Sequence, residues 1–287
     1  NWDQVRGFAW DLKPGLLVLA FGLYVVQLTG LALLWVWSVR QLDVLLPYGA
    51  GVRMWMNAFL SRYIPGGVWS YAFIASSGKQ MDLPVTLVTG SYILQLLARL
   101  WVGVLTALPL LHILFPNIGV PPGIVGALVL LVATLLAPVV LKPLLEWPVK
   151  LMRLDIGRSL SSLITPGVLL RLLPGFTLVQ GVLLSMLFVA LRGLLALDTG
   201  TAIYVAFAYA VATVIGLAVV FLPQGIGVRE ASFAGLVALV LPASVAFTLS
   251  IGLRLLLIAY DLLILLGLFG MRSLGWFPQE QHAIPGK

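Results

Sequence analysis

Six long stretches of the chain contain no charged residue, and most of them are long enough to cross a membrane as helices. They cover residues 14–39, 83–98, 100–141, 172–191, 199–228 and 231–253. A helix needs about 20 apolar residues to span a hydrocarbon core of about 30 Å, and lipid offers the backbone no hydrogen-bond partner of its own. Membrane β-barrels are disfavoured, because their strands of about ten residues with alternating polarity do not produce such runs. The pattern predicts an all-α polytopic membrane protein with about six to eight transmembrane helices.

Composition narrows the class of protein further. Hydrophobic residues make up 61% of the 287 residues and charged residues 9%, whereas an ordinary soluble domain has roughly 25% charged residues. This excludes a soluble enzyme, a disordered tail and a collagen-like rod. The chain has no cysteine and two isolated histidines, so we expect no metal, no cofactor and no enzymatic activity. Its net charge of +7 is expected to lie near anionic lipid headgroups. No nucleic-acid partner is expected.

The chain is expected to form a single transmembrane domain over residues 1–287. Residues 1–14 mix aromatic and charged side chains, which predicts an interfacial segment, and residues 271–287 predict a polar tail. The basic stretch 142–160 is expected to be a cytoplasmic connector, because basic loops remain on the cytoplasmic side. We expect a span to begin at Pro174 and to be followed by a turn at residues 198–200.

Two apolar stretches are interrupted by proline and glycine. The first interruption lies between Pro65 and Gly67, and the second lies between Pro223 and Gly227. Proline removes a helical N–H and glycine frees the backbone, so a helix is expected to end at each place. The pieces on either side of the first interruption are short for a full crossing, and a half-helix follows the second. Broken or re-entrant helices are therefore predicted at both.

The two interruptions resemble one another. Residues 63–68, YIPGGV, align with residues 221–226, FLPQGI, and the next turn proline follows each break proline by 19 residues. Chance is one explanation, since proline and glycine are frequent in transmembrane helices. The other is a pair of inverted repeats, residues 47–111 and residues 201–270, because the loop charges predict opposite directions for their long helices. Paired interruptions of this kind indicate the binding site of a transporter.

Several charged residues lie where burial is costly. Arg99 and Arg254 are interior to apolar stretches, and Asp261 lies seven residues after Arg254 on the same helix face. Arg229 and Glu230 begin the half-helix after the second interruption. These groups could pair only with each other and hold helices together. Alternatively, the surplus of arginine binds an anionic head such as a phosphate, with Glu230 and Asp261 orienting Arg229 and Arg254.

Two motifs carry a family resemblance. Residues 62–69, RYIPGGVW, resemble the K/R-Y-L-P-G-x-V-W break of the lysylphosphatidylglycerol synthase transmembrane family, also called flippase-like proteins. Residues 222–230, LPQGIGVRE, resemble its second hallmark, P-G-G-x-G-x-R-E, and the family often has an arginine at the place of Arg254. Gln224 replaces a usual glycine, and Gln95 and Asp261 stand where many members have glutamate. The resemblance covers about residues 35–269, and the family usually has one further N-terminal span.

The resemblance implies a flippase-like transporter of an amphipathic lipid with an anionic head, either a modified phospholipid or a polyprenyl-linked sugar. Membrane lipids and a lipid-modifying enzyme are the implied partners, and the prokaryotic inner membrane is the implied location. We expect no soluble aminoacyl-transferase domain of the kind that the synthases have, and therefore no synthesis of an aminoacyl lipid. A membrane-embedded glycosyl or acyl transferase, its non-catalytic accessory, and an ion-coupled solute transporter remain alternatives. The residues expected to bind the substrate are Arg62, Pro65, Gly66, Gly67, Trp69, Tyr71, Gln95, Arg99, Pro223, Gly225, Arg229, Glu230, Arg254 and Asp261.

Overall fold

The regular structure is helical throughout the part of the chain that the computed structural model describes, which is residues 7–8, 10–64, 69–114, 166–218, 225 and 227–273. The expectation of an all-α membrane protein is confirmed for these residues. The helices are α1 (Pro14–Arg40), α2 (Tyr48–Leu60), a 3-10 turn (Ser61–Tyr63), α3 (Trp69–Gln80), α4 (Val85–Leu114), α5 (Pro166–Leu194), α6 (Thr199–Ala218), α7 (Val228–Val237) and α8 (Ala243–Ser273).

Five of the described helices, α1, α4, α5, α6 and α8, are long and apolar enough to cross a membrane. The span and basic connector expected between residues 123 and 160 lie outside the described residues. Helices α2, α3 and α7 have 13, 12 and 10 residues. At about 1.5 Å per residue they are roughly 15–20 Å long, too short to cross alone.

Helix boundaries depart from the sequence expectation in two places. Helix α5 begins at Pro166 and contains Pro174 in its interior, where the sequence suggested a start. Proline is tolerated inside a membrane helix because neighbouring groups satisfy the freed carbonyl. Helix α6 begins at Thr199 inside the expected turn, because the Asp198 carboxylate accepts a 2.9 Å hydrogen bond from the Thr201 amide and caps the helix. The hydrogen bonds to Thr201 hold the pKa of the Asp198 carboxyl below its ordinary value.

Two helical hairpins have the same construction, a short helix followed by a proline turn and a long helix. In the first hairpin α3 leads to Pro84 and α4, and in the second α7 leads to Pro242 and α8. Each turn proline accepts a hydrogen bond in the first turn of its long helix, Pro84 from the Val88 amide at 3.1 Å and Pro242 from the Ala246 amide at 2.9 Å.

Packing contacts fix the direction of α4 and α5 relative to α1. Gly193 near the end of α5 lies against Leu17 near the start of α1, and Gly175 lies against Leu34. Helix α5 is therefore antiparallel to α1. Helix α4 is antiparallel to α1 as well, because Tyr92 contacts Trp35 and Gln95 contacts Leu31, which lies further back along α1. Consequently α4 and α5 run in the same direction.

The second half of the chain alternates direction. Helices α5 and α6 pack together across a short connection, so they are antiparallel. Tyr209 of α6 contacts Phe233 of α7, and the earlier Tyr204 contacts the later Leu236, which makes α6 and α7 antiparallel. Helix α8 then turns back along α7. Helix α8 therefore runs opposite to α5, and hence opposite to α4.

The packed core lies between α1, α2, α4, α5 and α6 and includes the fully buried indoles of Trp35 and Trp55. Helix α8 is less enclosed and exposes several large apolar side chains, among them Leu255, Leu266 and Phe269. Such a surface is suited to lipid contact in a helix that spans a membrane.

Candidate functional site

We call the stretch around residues 65–67 the first interrupted segment and the stretch around residues 223–227 the second. A cavity of about 300 Å³ lies where residues beside these two segments approach the long helices. The first segment contributes Arg62 and Tyr63, and the second contributes Gly225 and Arg229. Helices α1, α2, α3, α4, α5, α6 and α8 supply the rest of the wall. Four arginines line this cavity although its helices are apolar: Arg62, Arg99, Arg229 and Arg254.

Asp261 forms a buried junction between distant parts of the chain. Only 2% of the surface of Asp261 is exposed. Oδ1 accepts a 2.7 Å hydrogen bond from the Tyr24 hydroxyl of α1, and Oδ2 accepts hydrogen bonds from the Arg62 guanidinium and the Tyr63 hydroxyl. The carboxylate therefore ties α8 to α1 and to the end of the first interrupted segment. The sequence placed Asp261 beside Arg254 as an orienting group, and this role is corrected, because the ion pair forms with Arg62 instead.

Glu230 forms a second junction at the start of α7. Its Oε2 accepts a 2.7 Å hydrogen bond from the Gly227 amide, which caps the helix. Its Oε1 lies 3.1 Å from the Arg229 guanidinium and 2.5 Å from that of Arg254. Burial alone would raise the pKa of the Glu230 carboxyl, but the Gly227 amide, Arg229 and Arg254 hold it below its ordinary value. The carboxylate is thus ionised and shared by two cations.

The second interrupted segment is seated on α6 by close backbone contact. A Cβ at Gly225 would strike the backbone of Gly216, and a Cβ at Gly216 would lie 2.9 Å from the Arg229 Cβ. Gly225 and Gly227 have positive φ angles of 64° and 86°, which side-chain-bearing residues rarely adopt. These glycines allow the backbone at Gly225 to lie directly against α6. As a result Arg229 lies beside Gly216 and lines the cavity.

Two polar groups in the cavity wall have no hydrogen-bond partner among the described residues. Arg99 is partly buried and makes no hydrogen bond or ion pair with any described residue. The Tyr209 hydroxyl is buried, and it too has no hydrogen-bond partner in the described part of the chain. A buried donor without a partner costs about 1–3 kcal/mol, more for a charged group. Both groups are therefore available to a ligand.

Amide and aromatic side chains surround Arg62 at the end of the first interrupted segment. The Trp55 indole donates a 2.7 Å hydrogen bond to Gln95, whose own amide donates a 2.6 Å hydrogen bond to the Leu31 carbonyl. Trp55 stacks on Phe59 at 5.2 Å, and the Arg62 guanidinium lies 3.6 Å above the Phe59 ring. This cation–π contact and the Asp261 bond together fix the Arg62 head.

The charges around the cavity do not balance among the described residues. Four guanidinium groups line the wall, whereas the carboxylates in contact with them are those of Asp261 and Glu230. Two positive charges remain. An anion can recover the desolvation cost of buried arginine through bidentate hydrogen bonds, which a planar guanidinium makes well with phosphate.

Most of the residues that the sequence assigned to substrate binding are brought together here. Those that line the cavity are Arg62, Tyr71, Gln95, Arg99, Gly225, Arg229, Arg254 and Asp261. Glu230 lies directly behind two of them. Trp69 is 46% exposed and does not line the cavity. Pro65, Gly66, Gly67 and Pro223 lie outside the described residues.

Other cavity residues carry no signal in a motif. They are hydroxyl-bearing and aromatic side chains of otherwise apolar helices, namely Tyr24, Trp55, Phe59, Tyr92, Tyr209 and Thr213. The one available indication is that a tyrosine within an uncharged membrane stretch must bring its hydroxyl to a partner.

No cluster of His, Asp or Glu suited to a metal ion occurs among the described residues. Compared with protein-family models, with curated proteins and with solved structures, the chain matches none of them.

Proposed function

We propose that this protein is a flippase-like lipid transporter of the lysylphosphatidylglycerol synthase transmembrane family. It binds an amphipathic lipid with an anionic head in the cavity between two inverted repeats and passes that head across the membrane without chemical change. The observation that carries this proposal is the cavity with four arginines and two contacting carboxylates, enclosed by apolar helices.

The ion pairs suggest how a head can be held without being trapped. Arg229 and Arg254 share the single carboxylate of Glu230, so each is only partly neutralised. An entering phosphate exchanges with this carboxylate for bidentate contact with the arginines. Because one ion pair replaces another, the head enters and leaves without exposing an unpaired charge to lipid, which would cost several kcal/mol.

The inverted repeats draw support from the two hairpins. Both consist of a short helix, a proline turn and a long helix, and the long helices α4 and α8 run in opposite directions. An interrupted segment precedes each hairpin, and residues from both segments line one cavity. In transporters built from inverted repeats, the binding site lies between the repeats and is formed by interrupted helices.

Transport is tested in vesicles that contain the purified protein and fluorescent lipids of anionic, zwitterionic and cationic head. A membrane-impermeant reductant destroys the label of the outer leaflet, and further loss reports transfer from the inner leaflet. We expect protein-dependent transfer of anionic lipids. Arg229→Gln and Arg254→Gln abolish it, whereas Arg171→Gln, which changes an exposed arginine away from the cavity, leaves it unchanged.

Two results would contradict the proposal. Transfer at the native rate in both cavity variants would remove the arginines from the binding role. A covalent change of the lipid head, detected by mass spectrometry after incubation with the native protein, would favour the membrane-embedded transferase instead.

A further inference from the structure

We infer that the cavity selects a small head carrying two negative charges, such as a phosphate monoester or a diphosphate, over a head that carries one. This inference rests on the proposed lipid-binding function and names its substrate class. It starts from the two positive charges that remain around the cavity after Asp261 and Glu230 are counted against the four arginines.

The unbalanced charge is found at two places. The first is Arg99, which no described carboxylate contacts and which lines the cavity together with Tyr24, Tyr71 and Tyr92. The second is the pair of Arg229 and Arg254, where two guanidinium groups share one carboxylate. Each place carries one positive charge that no described carboxylate neutralises. A head with a single negative charge would therefore leave one of the two positive charges unneutralised.

Arg62 connects the two places. It is close enough to act electrostatically on Arg99 and on Tyr209, and Tyr209 in turn lies beside Arg229, whose guanidinium is 5.7 Å from its ring. The Tyr209 hydroxyl is buried and has no partner in the described part of the chain. A phosphate monoester offers three acceptor oxygens and carries about −1.5 to −2 charges at pH 7, so it can accept from this hydroxyl and from several arginines together.

The cavity suits a head of modest size. A volume of about 300 Å³ is at the lower end of the range for ligand pockets, roughly 300–1,000 Å³. A phosphate with a small polar group fits within this volume.

The test measures equilibrium binding of short-chain lipids to the full chain in detergent by titration calorimetry at pH 7.5. Phosphatidic acid supplies a phosphate monoester, and phosphatidylglycerol supplies a single charge. One additional charge-assisted hydrogen bond predicts that phosphatidic acid binds at least about tenfold more tightly than phosphatidylglycerol.

Variants connect this preference to the two unsatisfied groups. Arg99→Gln is expected to bring phosphatidic acid and phosphatidylglycerol to nearly equal affinity, while Arg99→Lys, which retains the charge, keeps part of the preference. Tyr209→Phe weakens phosphatidic acid binding without loss of thermal stability, because its hydroxyl has no described protein partner to lose. The surface variant Arg171→Gln is the matched control and binds like the native protein.

Equal affinity of the native protein for the two anionic lipids would overturn the inference. A preference that survives intact in Arg99→Gln would overturn it as well. Soluble glycerol 3-phosphate carries the same charge without acyl chains. If it binds as tightly as phosphatidic acid, selection for two charges stands, and it is the proposed lipid function that fails.

Discussion

Replacing Asp261 by asparagine removes one charge from a buried junction while keeping its shape. The asparagine side chain can still accept the Tyr24 hydrogen bond, but it cannot neutralise Arg62. The change therefore tests whether the carboxylate holds the end of the first interrupted segment against α1 and α8.

The cost follows from the burial of the pair. Removing one partner of a buried ion pair costs about 3–5 kcal/mol of the free energy of unfolding, because the other charge is left without compensation. The Arg62 side chain is 25% exposed, so we expect the lower value, about 3 kcal/mol. Domains of 150–250 residues lose roughly 2–4 °C in unfolding midpoint per kcal/mol, and longer chains lose less, so for these 287 residues we expect the midpoint of thermal unfolding to fall by about 6 °C.

A double-mutant cycle separates this pair from general damage. Arg62→Gln alone leaves the Asp261 carboxylate buried with two tyrosines, and we expect a similar loss of stability. The double variant removes both charges and should cost little more than either single change, which corresponds to a coupling of about 2–3 kcal/mol. Thermal unfolding of the purified variants, followed by tryptophan fluorescence, measures all four corners.

Asp82→Asn is the matched control for loss of a carboxylate. Asp82 is exposed and has a φ angle of 51°, a conformation that asparagine also adopts. We expect its unfolding midpoint to equal that of the native protein. If the Asp261 and Arg62 losses simply add, or if Asp261→Asn unfolds at the native temperature, the described junction does not stabilise the fold.

Three further predictions concern the segment crossing, the cavity and the topology. Gly216→Ala places a Cβ against Arg229 and should lower the free energy of unfolding by about 1–3 kcal/mol. Gly235→Ala is the control, because Gly235 has open space around it, and it should stabilise α7 by about 0.5–1 kcal/mol. If both variants shift the unfolding midpoint in the same direction, the close contact at Gly216 does not exist. Thr213→Cys should react with a small water-soluble thiol reagent, since Thr213 lines the cavity, and protection of this cysteine would mean that the cavity is closed to water. A cysteine at Asn117 should be labelled from outside and one at Ser159 only after permeabilisation, and labelling from the same side would rule out inverted repeats.

The sequence by itself determined the class of fold and the approximate positions of the helices. Uncharged runs predict helices because a backbone within lipid must satisfy its own hydrogen bonds, and this requirement does not depend on neighbouring elements. The interruptions are likewise local, since proline and glycine occur together at both places, whereas a single proline such as Pro174 is accommodated within a helix. Helix α2 ends before Pro65, and α7 begins at Val228 with Gly227 as its cap, as this reasoning predicts.

The charge surplus was also visible in the sequence, because an arginine within an apolar stretch indicates a ligand or a partner by its cost alone. Its partners were not visible. Helical periodicity placed Asp261 on the same face as Arg254, but a shared face says only which side of a helix two residues occupy. The packing of α8 against α1 and the first interrupted segment brings Asp261 to Arg62, 199 residues away in the chain.

Only the tertiary structure decided which polar groups remain unsatisfied. The sequence around Arg99 and Tyr209 does not distinguish them from residues that have partners. A hydrogen-bond partner comes from the helix that packs alongside, which the local sequence does not specify. Glu230 became the shared partner of Arg229 and Arg254 through the turn that returns α8 along α7. The sequence determines which charges are costly to bury. The arrangement of the helices determines which of these charges pair with a described residue and which are available to a ligand.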